Sequence, residues 1–341
     1  MKKEYIIPIF VPHLGCPNDC TFCNQKKISG QKTNVSSEDV KNIIEYYLNN
    51  FSEKDRYVEI AFFGGSFTGI DSKIQEELLR VANTYIKLGK VDGIRVSTRP
   101  DYINQNILDL LKKYNVKTIE LGVQSANDYV LKKCKRGHSF DDVKKASKLI
   151  RKNKFNLGHQ MMVGLPDSYP KDEIETAKKL IKLHPKMVRI YPVLVIKDTQ
   201  LAKDFENGEY IPNTLEQAVE TSAILLKMFN KKKINVIRIG LQGTDEICNP
   251  DDEKSQVVAG PYHPAFRQLV ESRICYDEIS KKIRKLNNKV KKVKVIVNEK
   301  NINNFVGHKR ENVKRIKEIY NVDLIIQKDN EVKNYKIVDV V

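Results

Sequence analysis

Short runs rich in β-branched residues recur along this chain, and amphipathic stretches separate them. The runs fall at 5–11, 57–63, 93–98, 118–123, 157–163 and 188–195, with another at 235–239. Between the second and third, Ile74, Leu78, Val81, Ala82 and Tyr85 repeat at helical spacing, and Ser72 with Gln75 three residues later predicts a capping box. A second helical pattern runs through Leu215, Ala218, Val219, Ser222, Leu226 and Phe229. Strands alternating with helices of this length predict βαβ units around a parallel sheet. The first strands are continuous apolar runs, as a sheet covered on its outer face requires. In barrels of such units the chemistry sits at the C-terminal ends of the strands. The distinctive motifs of this chain fall there.

The 341 residues leave room for one large domain and a small one. No apolar run approaches the ~18 residues of a membrane span. The opening MKKEYIIPIFVPHLGC faintly imitates a lipoprotein signal, but Glu4, Pro8, Pro12 and His13 interrupt it, so a cytoplasmic protein is expected. The six cysteines are too few for a disulfide scaffold. Three are clustered and read as metal ligands, whereas Cys134, Cys248 and Cys275 are scattered and read as core residues.

Charge is uneven. The formal net charge is +17, and residues 281–341 hold 17 Lys and Arg against 7 Asp and Glu. Within them, KKIRKLNNKVKKVK (281–294) has eight basic residues and no acid, which predicts a domain boundary and either a polyanionic partner or a solvated lysine-rich helix face. Beyond it, 292–298 reads as a strand, 301–306 and 311–320 as helices, and 322–327 as a strand.

The first strand leads into GCPNDCTFCNQ, which places Cys16, Cys20 and Cys23 in a C-x3-C-x2-C array. Three thiolates can ligate three irons of a 4Fe–4S cube and leave the fourth iron open. A structural zinc site with His13 as fourth ligand is the competing reading. The second strand ends in FFGGSFTGI (62–70), where Gly64 and Gly65 allow a ligand close to the backbone or simply make a turn.

With aromatic Phe22 before the last cysteine, these two motifs resemble the radical S-adenosylmethionine (radical SAM) superfamily. The resemblance implies an α/β fold, a partial (β/α)6 TIM-like barrel. It implies a 4Fe–4S cluster on Cys16, Cys20 and Cys23, with S-adenosylmethionine at the open iron. Phe22 would lie by the adenine, and Gly64, Gly65 and Ser66 would hold the methionine end. Ser66 stands where many members have Glu. Further segments, IELGVQSANDYVLKKCKRGH (119–138), GHQMMVGLPDS (158–168), RIYPVLVIKDTQLAKDFENGEY (189–210) and GPYHPAFRQLVESRI (260–274), resemble the radical domain of the Elongator catalytic subunit, which modifies the wobble uridine of transfer RNA. By this likeness Glu120, Gln124 and Ser125 lie near the ribose and Arg136 reaches the methionine carboxylate, although Arg136-Gly137 also reads as a plain helix end.

The implied organisation is a barrel at 1–240, a helical extension packing on it at 241–285, and a small basic α+β segment at 286–341. FVGHKRENVKRIKEIYNVDLIIQ (305–327) resembles the core of a KH domain, with Gly307-His308-Lys309-Arg310 in the place of its GxxG turn and Arg310 replacing the second glycine. A structural β-α-α-β cap is the alternative. The expected partners are transfer RNA on the basic segment, an external one-electron donor, and no membrane. Too few residues follow the barrel for an acetyltransferase domain, so either a partner chain supplies the carbon unit or the reaction differs. GVQS and VGLP also resemble coproporphyrinogen dehydrogenase, which gives a small-molecule substrate as a second reading. An RNA-binding protein with a structural metal is a third. His13, His159, Tyr191, Tyr262 and His263 are candidates to face the barrel mouth.

Overall fold

The computed structural model describes residues 3–11, 20–24, 35–52, 55–243, 246–286, 290–333 and 335–340. Cys16 and His13 lie outside the described residues. Strands β1 (Lys3–Val11), β2 (Arg56–Gly64), β3 (Gly93–Thr98), β4 (Val116–Gln124), β5 (Asn156–Val163) and β6 (Met187–Pro192) pair in chain order, all parallel. A seventh strand, β8 (Asn235–Ile239), continues the sheet beyond β6, so β1 and β8 are its two edges. The barrel is therefore partial, one strand wider than the six expected.

Helices cover the outer face. They are α1 (Ser37–Asn50), α2 (Ser72–Lys87), α3 (Gln105–Lys113), α4 (Asp128–Lys133), α5 (Phe140–Lys152), α6 (Pro170–Lys182), α7 (Gln200–Glu206) and α8 (Leu215–Lys231). One strand face, including Ile60, Phe62, Ile94, Val96, Ile119, Leu121, Leu157, Val188 and Ile190, packs with Leu78, Leu79, Leu108, Ile150 and Leu180 of the helices in one apolar core. Each continuous run thus resolves into an outward apolar set and an inward set with period two. The N-cap of α2 is Asp71, whose carboxylate accepts from the N–H groups of Lys73 and Ile74. Ser72 is already helical and Gln75 donates instead to the Ile70 carbonyl, so the expected Ser72–Gln75 box does not form. The α8 pattern holds, with Ala218, Ser222 and Phe229 wholly buried.

The run at 188–195 breaks after Pro192, and Val195–Ile196 (β7) pairs antiparallel with Val257–Ala259 (β9). Helix α9 (Phe266–Ile283) then packs in two directions. Phe266 and Val270 join the barrel core, whereas Tyr276, Ile279 and Ile283 join a separate core with Val293, Val295, Phe305 and Ile316. That second core belongs to β10 (Lys292–Val297), α10 (Ile302–Val306), α11 (Glu311–Tyr320), β11 (Asp323–Lys328) and β12 (Tyr335–Val340). β10 is central, parallel to β11 and antiparallel to β12, a strand the sequence pattern did not reveal. No helix among the described residues is long and apolar enough to cross a membrane.

Candidate active site

Two cysteines of the array, Cys20 and Cys23, are among the described residues. Cys23 N–H closes a turn on the Cys20 carbonyl at 3.0 Å. The turn is pinned on both sides, by Thr21 N–H on the Cys134 carbonyl (3.1 Å) and Leu201 N–H on the Thr21 carbonyl (2.8 Å). It is therefore fixed to the end of α4 and the start of α7, both beyond the C-terminal ends of strands. Cys20 and Phe22 are buried with Val130, Cys134, Leu165, Val193 and Tyr210 in a small apolar cluster. Burial pushes the Cys134 thiol up to about 12, which fits a core residue.

Arg136 is delivered to the same place by the end of α4. Left-handed Lys135 (φ 51°) and Gly137 (φ 74°) flank it, and its N–H bonds back to the Leu131 carbonyl at 2.9 Å. The segment is thus a helix end, but Lys135 and not Gly137 takes the left-handed position that closes it, and the Arg136 side chain does more. Nη1 lies 3.3 Å from the Cys20 sulfur and Nη2 donates to the Gly122 carbonyl at 2.8 Å. A Cβ on residue 122 would sit 2.9 Å from Nη2, so Gly122 makes the room. Nε is buried with no partner among the described residues. A buried guanidinium beside a cysteine, with a donor still unspent, suits an anionic ligand.

Gly64 has φ 106°, and a Cβ there would fall on the Val11 carbonyl oxygen. Its close approach is to β1, while Gly65 N–H donates to the same oxygen at 3.3 Å. Ser66 is buried, with its hydroxyl 2.7 Å from Thr98 Oγ1 and accepting from Arg99 N–H at 3.1 Å. Its hydrogen bonds anchor the loop to the end of β3.

Below the mouth, the inward faces carry a closed ion network. Arg95 pairs with Glu59 and, at 2.7 Å, with Glu120. Arg189 holds both oxygens of Glu120, through Nε at 2.5 Å and Nη2 at 3.1 Å. Burial would raise the Glu120 pKa, but Arg189 and Arg95 outweigh it and hold the carboxyl below its usual range. Glu120 reaches from β4 to β6 across β5 because residue 158 is glycine, where a Cβ would stand 2.9 Å from its Cγ. Both Glu120 oxygens are thus engaged by arginines. Gln124, left-handed at φ 70°, accepts from Gln160 Nε2 at 3.3 Å, and Ser125 Oγ accepts from Asn127 N–H at 3.1 Å.

Of the mouth candidates, Tyr191 faces inward, its hydroxyl accepting from Arg189 Nη1 at 3.2 Å. His159 does not. It shares the outward face of β5 with Leu157, Met161 and Val163, is fully buried, and lies 2.9 Å from Ser147 of α5. Burial lowers its pKa to about 3, so it is a neutral packing residue. Strand parity in LGHQMMV carried that signal. Tyr262 and His263 belong to the turn before α9, where Ala265 N–H donates to His263 Nδ1 (3.0 Å) and the His263 ring meets His308 edge-on at 5.3 Å.

The sequence model of the radical SAM superfamily matches residues 10–180, half of the chain, and that of the radical SAM C-terminal domain matches 185–275. The chain belongs to the radical SAM superfamily. It is a radical SAM enzyme, and the cofactors of that superfamily are a 4Fe–4S cluster and S-adenosylmethionine. Among relatives, the tRNA uridine(34) acetyltransferase of Methanocaldococcus infernus is 35% identical over 157 residues, 44% of this chain and 28% of that protein. An uncharacterised protein of Methanocaldococcus jannaschii is 31% identical over 61% of this chain and 67% of its own length. The chain thus spans under a third of the first curated relatives it matches and two thirds of the other. The solved structure of archaeal M. infernus Elp3 shares the fold of this radical SAM chain, with a TM-score of 0.62 at 22% identity over 83% of this chain and 64% of that one.

Proposed function

We propose that this radical SAM enzyme modifies a nucleotide of transfer RNA. The observation that carries the reading is the basic C-terminal unit built onto α9, on the β8 side of the barrel. Its turn, Gly307 to Arg310, sets Lys309 (φ 49°) and Arg310 (φ 64°) in successive left-handed conformations with both side chains exposed. Gly307 is required there, since a Cβ would stand 2.8 Å from the Asn312 nitrogen. The edge-on His263–His308 contact joins this cationic turn to the loop before α9. Polyanion binding is what such a surface does. The relative named a tRNA uridine(34) acetyltransferase supports the same substrate class, and a transfer RNA substrate puts the enzyme in the cytoplasm. Acetyl transfer is not carried over, because the match covers 28% of that relative.

In this reading Cys16, Cys20 and Cys23 hold the cluster. When bound, the cluster supplies the electron that splits S-adenosylmethionine into methionine and a 5′-deoxyadenosyl radical. An external one-electron donor provides that electron. Arg136 offers its buried Nε–H to the methionine carboxylate while its Nη1 faces the Cys20 sulfur. Gly64 and Gly65 shape the loop at the methionine end, with Ser66 fixing it to β3. Gln124 and Ser125 stand at the end of β4 for the ribose. Glu120 acts beneath them by locking Arg189 and Arg95. Phe22 and the apolar cluster around it keep water from the reacting centre.

The test is transfer RNA binding across a salt series. Wild type should bind with an affinity that falls steeply with salt, and Lys309→Glu with Arg310→Glu should weaken it at least tenfold and flatten the slope by about two. Salt-independent binding, or no effect of the double charge reversal, would remove the turn from the RNA site.

A further inference from the structure

Among the described residues, the interior ion network leaves one cation over. Glu59, Arg95, Glu120 and Arg189 form a closed set of two carboxylates and two guanidiniums, each 11% exposed or less. Arg238 of β8 pairs in register with Arg189 of β6. Residues paired across parallel strands turn to the same face, so Arg238 looks into the interior that Arg189 occupies. Val236 and Ile239 beside it are buried in the outer core, and the register shift in this pairing accommodates Ile237. Arg238 is half-buried and has no hydrogen bond or ion pair among the described residues.

An unpaired guanidinium in a barrel wall is costly to the fold and well formed to receive an oxyanion, because its planar fork offers parallel donors. One strand away, the Tyr191 hydroxyl accepts from Arg189 and so keeps its own proton for another acceptor. Tyr191 is also half-buried. The two groups together make a donor pair for a carboxylate or a phosphate.

The surroundings favour phosphate. β8 is the sheet edge bordered by α9, where Arg267 Nη1 donates to the Val236 carbonyl at 2.9 Å. Gly240, straight after β8, is so close to Phe266 of α9 that a Cβ would stand 2.9 Å from the Phe266 Cβ. The basic turn at 307–310 meets the loop just before that helix. Arg136, the cation at Cys20, follows β4, three strands away and about 14 Å along the sheet. The two arginines therefore address different groups.

We propose that Arg238, with Tyr191, is an oxyanion subsite for the substrate, and that the oxyanion is a phosphate of the RNA entering from the basic side. This rests on the RNA reading above. Reconstituted holoenzyme, wild type against Arg238→Met and Arg238→Lys, is compared by affinity for bulk transfer RNA over a salt series, affinity for S-adenosylmethionine, and melting temperature. Arg238→Met should weaken RNA binding five- to tenfold, reduce the salt slope by about one, and leave S-adenosylmethionine affinity unchanged. Its melting temperature should hold or rise, because no partner among the described residues is lost. Arg238→Lys should keep the slope and lose part of the affinity. Weakened S-adenosylmethionine binding with unchanged RNA binding would overturn the phosphate assignment in favour of the methionine carboxylate. No change in either affinity would overturn the subsite. Wild-type protein that fails to bind transfer RNA would instead sink the RNA reading, and the phosphate assignment with it.

Discussion

Glu173 is a carboxyl in the first turn of α6, buried beneath the loop that follows β5. One oxygen accepts from Gly164 N–H at 2.6 Å and the other is buried with no well-formed hydrogen bond among the described residues. Burial raises its pKa to about 7, against the pull of the Gly164 N–H. Folding therefore favours the protonated form, so stability is highest below the unfolded pKa near 4.5 and is lost as pH rises through about 7. Glu173→Gln should stabilise the protein by about 1–3 kcal/mol at pH 8 and change little at pH 5, as read from denaturant midpoints. An equal change at both pH values would refute a raised pKa. At this scale the sequence was legible where chemistry is local: the cysteine array and the paired glycines announce themselves by spacing. It was not legible where a residue's role depends on register. Glu120 reaches Arg189 of β6 only because Gly158 lets it cross β5, and nothing around Arg238 in the chain marks it as lacking a partner among the described residues.

The loop that closes β2 depends on one backbone conformation. Gly64 combines φ 106° with direct packing on the Val11 carbonyl, so Gly64→Ala should cost about 2–4 kcal/mol in denaturant unfolding. Gly65 does not have a positive φ, so Gly65→Ala should stay folded and report on S-adenosylmethionine binding alone. Equal destabilisation by the two substitutions would contradict the assignment of the strain to Gly64. Elements were legible through periodicity, which placed all seven strands of the sheet. Boundaries were less so, because they turn on competition between neighbours. Asp71 outcompetes Ser72 for the cap of α2 by reaching two N–H groups at once. β6 ends at Pro192, and after one more bond from Val193 N–H to the Val163 carbonyl the chain turns to pair at β7. β12 was not read from the sequence, although β11, the other edge of the same three-stranded sheet, was.

Across the whole molecule, α9 is the hinge of the construction. Its first turns belong to the barrel core and its last to the C-terminal unit, so removing the tail would expose Tyr276, Ile279 and Ile283. Charge substitutions in the tail therefore test RNA binding more cleanly than truncation does. The basic surface was visible in composition, but its position at the β8 side of the mouth came only from the tertiary packing. The chemistry remains centred on the cysteine turn. The most direct test of it is to reconstitute the protein without oxygen, add dithionite and S-adenosylmethionine, and measure 5′-deoxyadenosine. The account predicts product from wild type, faster in the presence of transfer RNA, and none from Cys20→Ala. A wild-type protein with its full complement of iron and sulfide that forms no 5′-deoxyadenosine would contradict it.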